Sequence, residues 1–430
     1  MRHLWLLSLL MLGCRVMKPG DSGQSKEPTD VYIVAETSTG RVMIVNAETS
    51  GFNGEICLSE VHEDLCSDDS STLAKPCLMF GVTHTSVDDV DQLLMTYTLR
   101  NPEVPFAPGA IANINIQHPP VVNWIIDTIK IPAALQTREG LNCEDLPETA
   151  GCHLYGSHNT IALEDGRLLV ADTSNSRILW LLPPNVGTTA TVDDILSMNH
   201  PEWSQERYPN QVQPLSFNGR QYLLLTHKGS MDEQENPTNW GSIVLWDVTD
   251  TDRFTKVWRY PETGYLSAVH QGLVQDTPNG SLLIYAHSYG AATDDSREQD
   301  GSIGFAQFRG EDPPLYLADG IYSETPFGFT REVEWNDDLS QLIVTDSGCE
   351  NSQADCDRAA QILAIDLPIL SEAGTSGAFS TNHEHQRLIE LEVSHTLVTP
   401  TVELPFDTDR IPLENQGAAL RKGLGGCESP

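Results

Sequence analysis

The chain has 430 residues and a formal charge of −36, with 25 Lys and Arg against 61 Asp and Glu. Such a surface repels phosphate backbones and anionic lipid faces, which excludes nucleic acid as a partner and leaves contact with a membrane to a lipid anchor. Cationic partners, divalent cations or a saline habitat suit it, and a solvated acidic face with no specific partner accounts for most of the charge.

The N-terminus reads as an export signal. Met1-Arg2-His3 is followed by the apolar run Leu4 to Gly13, far short of the roughly 20 residues needed to span a bilayer. The run closes in Leu10-Met11-Leu12-Gly13-Cys14, which resembles the lipobox of bacterial lipoproteins and implies lipidation at Cys14. Arg15, where an Asp would retain the protein at the inner membrane, implies the outer membrane by the same resemblance. Residues 15–29 are polar and rich in Gly, Ser and Pro, which predicts a flexible tether. The expected organisation is a signal peptide over 1–13, a lipid-anchored tether over 14–29 and one folded domain over 30–430.

Removing Cys14 from the nine cysteines leaves eight, which can pair completely in an oxidising compartment. Short spacings make Cys143–Cys152 and Cys349–Cys356 the expected bridges, while the partners of Cys57, Cys66, Cys77 and Cys427 stay open. No Cys-x-x-Cys pair occurs, so zinc lacks its usual signature.

From Asp30 onward, apolar runs of four to seven residues alternate with Gly, Asn, Asp and Pro, predicting strands and turns. The clearest helical candidate is Thr191 to Met198. One phrase recurs, an apolar strand, a polar turn and a second apolar strand, with copies starting near residues 31, 84, 158, 213, 270 and 330. This spacing predicts an all-β chain folded as a β-propeller of six four-stranded blades, with a β-sandwich or two-domain arrangement as the alternative. Arg387 to Val393 is expected to supply the strand that closes the ring. Trp180, Trp246 and Trp258 fall in strand patterns and are expected to pack between blades.

Aligning the copies by their turns places His84, His158, Gln213, His270 and Arg331 at matching positions on the first strands, facing the channel. A second set, Asp172, His227, His287 and Asp346, follows the next apolar core. Polar residues converging from several strand ends make a candidate ligand pocket.

The phrase from His158 to Asp172, followed by Asn175-Ser-Arg-Ile, resembles blades of the bacterial arylsulfotransferase propellers and, more loosely, NHL-type repeats. The resemblance implies a six-bladed periplasmic protein in which a channel histidine carries a sulfuryl group, with His158, His270 and Arg331 as catalytic candidates and His84, Gln213, His227 and His287 around the ligand. Resemblance to lactonase-like propellers implies instead a channel Ca2+ held by Asn159, Asp172 and Asp346, and otherwise no cofactor is expected. The acidic loops Asp64–Asp69 and Asp294–Asp300 read as solvated. Gly-x-Ser-x-Gly, a phosphate-binding glycine loop and His-Glu-x-x-His are all missing from the sequence. The first functional expectation is a monomeric binding scaffold for a small ligand or an envelope protein, the second an arylsulfotransferase-like enzyme, and the third a calcium-dependent hydrolase.

Overall fold

A computed structural model of the chain describes residues 29–36, 41–46, 52–62, 66, 77–87, 90–99, 108–116, 121–199, 206–227, 230–231, 237–239, 241–250, 253–260, 269–277, 280–287, 302–308, 316–321, 330–335, 341–346, 360–366, 385–391 and 396–404. Cys14, Cys349, Cys356, Cys427 and the acidic loop 294–300 lie outside these residues.

In chain order the strands are β1 (Thr29–Glu36), β2 (Arg41–Asn46) and β3 (Phe52–Cys57), then a short helix α1 (Leu58–Val61). β4 (Met79–Val87), β5 (Val90–Thr98), β6 (Gly109–Asn115) and β7 (Val121–Ile126) form the next sheet. β8 (Thr128–Lys130) and helix α2 (Ala133–Glu139) lead to β9 (Asn159–Ala162), β10 (Leu168–Asp172), β11 (Arg177–Leu182) and β12 (Thr189–Ser197). β13 (Pro209–Phe217) and β14 (Arg220–His227) precede a two-stranded ribbon, β15 (Ser230–Met231) with β16 (Pro237–Asn239), and then β17 (Ser242–Asp247) and β18 (Thr255–Tyr260). β19 (Val269–Thr277), β20 (Gly280–His287), β21 (Ser302–Phe308) and β22 (Tyr316–Ile321) make another sheet, as do β23 (Thr330–Trp335), β24 (Gln341–Asp346), β25 (Ala360–Asp366) and β26 (His385–Leu391). β27 (Thr396–Leu404) joins the first sheet in the order β27-β1-β2-β3.

The sheets are antiparallel meanders except that β8 adds in parallel to the outer edge of β12, and the innermost strands touch in cyclic order: β27 on β4, β4 on β9, β9 on β13, β13 on β19, β19 on β23, and β23 on β27. The chain is a β-propeller. β27, from the end of the described chain, pairs antiparallel with β1 from its beginning, so the two termini close the ring together. The closing strand is therefore not Arg387–Val393. Its residues Arg387–Leu391 fall in β26, the outer strand that β25 needs as its own partner, and closure passes to β27.

Burial explains why the strands read as continuous apolar runs. In β10 all five residues are buried, with Leu168 and Val170 packing on one neighbouring sheet and Leu169 and Ala171 on the other. β14 divides in the same way, Tyr222 and Leu224 against Leu223 and Leu225. Alternate side chains point to opposite faces, and in a ring of stacked sheets both faces are covered. Trp180, Trp246 and Trp258 all lie in these inter-sheet cores, as their strand patterns predict.

Two local readings change. Thr191–Met198 falls mainly in strand β12, not a helix. Its Ala190 and Val192 are buried while Asp193 is exposed, and Thr, Val and Ile stiffen the backbone towards extended geometry beside β11. Helix α2, which the strand-and-turn reading passed over, follows Pro132 and ends at Gly140 in the left-handed conformation (φ 68°). Arg138 clamps it to β12 through Asp194 (2.8 Å) and the Ile195 carbonyl (2.6 Å).

The expected Cys143–Cys152 bridge is present and staples the loop between α2 and β9. Cys66 pairs with Cys77, and Cys57 is also disulfide-bonded. Replacing Cys143 and Cys152 together by Ser is expected to cost about 2–3 kcal/mol, because the freed loop regains conformational entropy in the unfolded chain. Urea denaturation of the variant under non-reducing conditions reads this directly. No helix among the described residues is long and apolar enough to cross a membrane.

Candidate functional site

Strand register defines the candidate site more sharply than the sequence does. Between the first and second strands of four sheets the pairing skips one residue on the inner strand: Phe80 between Met79 and Gly81, Asn210 between Pro209 and Gln211, His270 between Val269 and Gln271, and Arg331 between Thr330 and Glu332. In the β9 sheet Asn159 pairs with Ala171, and the His158 backbone N–H donates to the same Ala171 carbonyl (3.1 Å), placing His158 at the matching position. A bulge frees a residue from the ladder and turns it out of the sheet. Neighbouring bulge residues accordingly meet. Phe80 stacks on His158 with centroids 4.7 Å apart, and Asn210 bonds His270.

Three of the expected catalytic residues, His158, His270 and Arg331, thus share one register position. His84 and Gln213 do not. They lie four and three residues past the bulges of their own strands, because the inner strands differ in length, nine residues in β4 and β13 against four in β9 and six in β23, so counting back from the second apolar core stops at different depths. His84 instead pairs with Asp91 across the hairpin (2.9 Å). The residues taking their places, Phe80 and Asn210, were missed, although each bulge residue is followed by Gly, Asn, Gln or Glu in the sequence.

Those following residues tie the sheets together. The Asn159 side-chain carbonyl accepts from Val212 N (3.3 Å), Gln211 accepts from Gly272 N (2.9 Å), and Gln271 accepts from Val333 N. Gln213 adds a two-way tie, accepting from Val274 N (2.7 Å) and donating to its carbonyl (3.1 Å). An inner strand has no ladder partner on its channel edge, and these amides satisfy the backbone groups left there.

His270 is bound into the same scheme. Asn210 Nδ2 donates both to the His270 carbonyl (2.7 Å) and to its ring Nδ1 (3.1 Å), while Thr226 Oγ1 also donates to that carbonyl (3.0 Å). The carbonyl bond fixes which Asn210 atom is the amide nitrogen. Nδ1 therefore accepts, and the neutral ring carries its proton on Nε2. His270 is only 3% exposed.

No family model matches the sequence, and no curated protein matches it. Solved structures similar to it include a protein of unknown function from Desulfotomaculum acetoxidans, 10% identical over 86% of this chain and 99% of that one, with a TM-score of 0.44. A proposed 6-phosphogluconolactonase from Bacteroides uniformis is 11% identical over 86% and 99%, at 0.43. The Dos1 propeller is 8% identical over 86% of each chain, at 0.42. Likeness at this level assigns no ligand and no chemistry.

The second set also shares a register position, at the ends of the second strands: Asp172, His227, His287 and Asp346, with Tyr97 as the equivalent in the β5 sheet. Their environments differ. Asp172 is fully buried and accepts from Tyr155 N (2.7 Å), Ser157 Oγ (3.0 Å), Asn175 Nδ2 (2.9 Å) and Arg177 Nε (2.7 Å). Arg177 donates onward to the Gly151 and His153 carbonyls, both 2.8 Å away. This hub fixes the loop that delivers His158 to the ring. Asp172 does not fit a calcium shell, since each of its oxygens already accepts two protein donors. Among the described residues no group of three or more His, Cys, Asp or Glu could hold a metal ion. Asp346 is buried and faces Thr330 in the ladder.

His227 is the opposite case. It is fully buried, and neither ring nitrogen has a hydrogen-bond partner. Burial holds its pKa down at about 3, the nearby Arg259 and Lys256 charges add to the depression, and the backbone of Arg207 and Glu206 opposes it. The ring is neutral throughout the physiological range.

Proposed function

We propose that the chain is a lipid-anchored propeller of the bacterial envelope that acts as a binding scaffold, holding a small ligand or an envelope protein without chemistry of its own. The observation that carries this reading is the Asn210–His270 pair. An imidazole nucleophile attacks through a nitrogen lone pair, and in His270 one nitrogen accepts from Asn210 while the other bears the proton. The N-terminal resemblance to an export signal and lipobox, together with the disulfides, supports that location. Metabolic labelling with a radioactive fatty acid in a bacterial host is expected to mark the wild type and leave the Cys14→Ala variant unlabelled and released from membranes. Labelling of both would remove the anchor from the proposal.

A second reading is sulfuryl transfer, favoured by the shared register of His158, His270 and Arg331. An assay with 4-nitrophenyl sulfate as donor and phenol as acceptor separates the two. The scaffold reading expects no turnover from the intact domain. Turnover lost in His158→Ala or His270→Ala, with folding intact, would establish the enzyme.

A further inference from the structure

The entry to β13 gathers buried polar atoms that have no hydrogen-bond partner among the described residues. Glu206 is 1% exposed, and its Oε1 faces Lys256 Nζ (2.8 Å) and Arg259 Nε (3.4 Å), but its Oε2 is unpartnered. Arg207 Nε, Asn210 Oδ1, both His227 nitrogens and Ser242 Oγ are unpartnered as well. These residues sit together at one end of one sheet, since Pro209 pairs with His227 and His227 with Ser242. The matching place in the preceding sheet is the saturated Asp172 hub, where a carboxylate binds the incoming loop by two hydrogen bonds. At β13 a neutral ring takes the carboxylate's position, and the incoming loop is held elsewhere, by Lys256 on Glu206 (2.8 Å), by Tyr208 N donating to Ser176 Oγ (3.3 Å) and by Thr173 Oγ1 donating to the Pro209 carbonyl (2.6 Å). Each unsatisfied group costs on the order of 1–3 kcal/mol, so this end of the sheet is the one poised to open.

We infer that His227 and the segment Glu206 to Asn210 form an acid-sensitive latch, in which protonation of the buried imidazole releases the entry to β13 and with it the Asn210–His270 tie. The charged and titratable groups around the ring are Glu206 and Arg207 from the β13 entry, Lys256 and Arg259 from β18, and His270 on β19, linked to β14 by Thr226. Three of these are permanent cations, and the single anion is engaged with two of them. The backbone of Arg207 and Glu206 favours an imidazolium there, but burial and the charges of Arg259 and Lys256 outweigh it, so the ring ionises only when the segment lifts and admits water. Opening would loosen the ring where β13 meets β19, which couples envelope acidification to the shape of the propeller mouth.

The sign follows from linkage. The closed state binds the proton far more weakly than the open one, whose histidine titrates at its ordinary 6.5. Between pH 6.5 and 3 the open population therefore rises as pH falls, by about tenfold per unit. Hydrogen exchange of the intact chain, corrected for intrinsic rates and read across β13 and β14 from pH 7.5 to 4.5, is expected to show this rise in the wild type and a flat profile in His227→Leu. Equal pH responses in the two proteins would overturn the latch. Should His227→Leu fail to fold, the wild-type ring resonance of His227 decides the matter: the latch requires the closed state not to titrate above about pH 4, and a closed-state titration near 6.5 with the Asn210–His270 bond intact contradicts it.

Discussion

Asp172→Ala is expected to lower the stability of the folded chain by about 3–5 kcal/mol, the largest loss from any single polar substitution among the described residues. Removing the carboxylate strands Arg177, which is 3% exposed and has no other anion beside it among the described residues, and also abandons the Tyr155 amide and the Ser157 hydroxyl. A buried guanidinium without a counter-charge cannot recover its hydration, whereas an exposed pair such as Arg167 with Asp193 can, and breaking that one is expected to cost under about 1 kcal/mol. The midpoint of chemical denaturation for Asp172→Ala against Asp193→Ala measures the difference. Equal shifts would mean that the hub does not hold the β9 entry. Because the hub delivers His158, the variant should also lose the Phe80–His158 stack, which a change in near-ultraviolet circular dichroism reads separately.

The second large effect is expected from one methyl group. Gly81 lies where β4 passes the β9 entry, and a Cβ built on it would overlap the His158 carbonyl oxygen and come within 3.2 Å of its carbon. The atoms in the way are backbone, so no side-chain rotation relieves the clash. Gly81→Ala must push β9 away from β4, disturbing the buried Thr96–Thr160 hydroxyl bond (2.8 Å) that bridges the same two sheets. A cost of about 3 kcal/mol is expected, at the upper end of ordinary overpacking. The contrast is Gly166→Ala, where nothing lies within 4 Å but φ is +85°. That change strains only a hairpin turn and is expected to cost about 1 kcal/mol. Thermal unfolding of both variants checks the order, and a Gly81→Ala protein as stable as the wild type would show that the sheets are not in contact there.

Much of the fold is legible in the sequence because each sheet is buried on both faces. Runs such as Leu168 to Asp172 and Tyr222 to His227 announce their strands without alternation, and Gly, Asn and Asp mark the turns. The residues that belong together at the ends of the second strands are equally legible, since counting along an unbroken strand keeps them in phase. Counting fails on the first strands. The inner strands run for nine residues in β4 and β13 but four in β9 and six in β23, so a count back from the second strand makes His84 and Gln213 look equivalent to His158 and Arg331 and passes over Asn210 and Phe80. The roles of Asn159, Gln211 and Gln271 are illegible for another reason: each satisfies a backbone group on the next sheet, more than fifty positions along the chain. Nor does the sequence distinguish Asp172 from His227. Identical placement gives one a full set of donors and leaves the other with none, because the incoming loop carries Tyr155 and Ser157 in one sheet and Arg207 and Pro209 in the next.

The central claim is that the ring residues join sheets rather than perform chemistry, and a double-mutant cycle on Asn210→Ala and His270→Ala tests it most directly. Each single substitution is expected to destabilise by about 2–4 kcal/mol through a lost buried hydrogen bond and the space left behind. If the two side chains act as one tie, the double variant will be less destabilised than the sum, by a coupling of about 1–3 kcal/mol. Strictly additive losses, together with sulfuryl transfer that disappears in His270→Ala, would contradict the account and return the ring to catalysis.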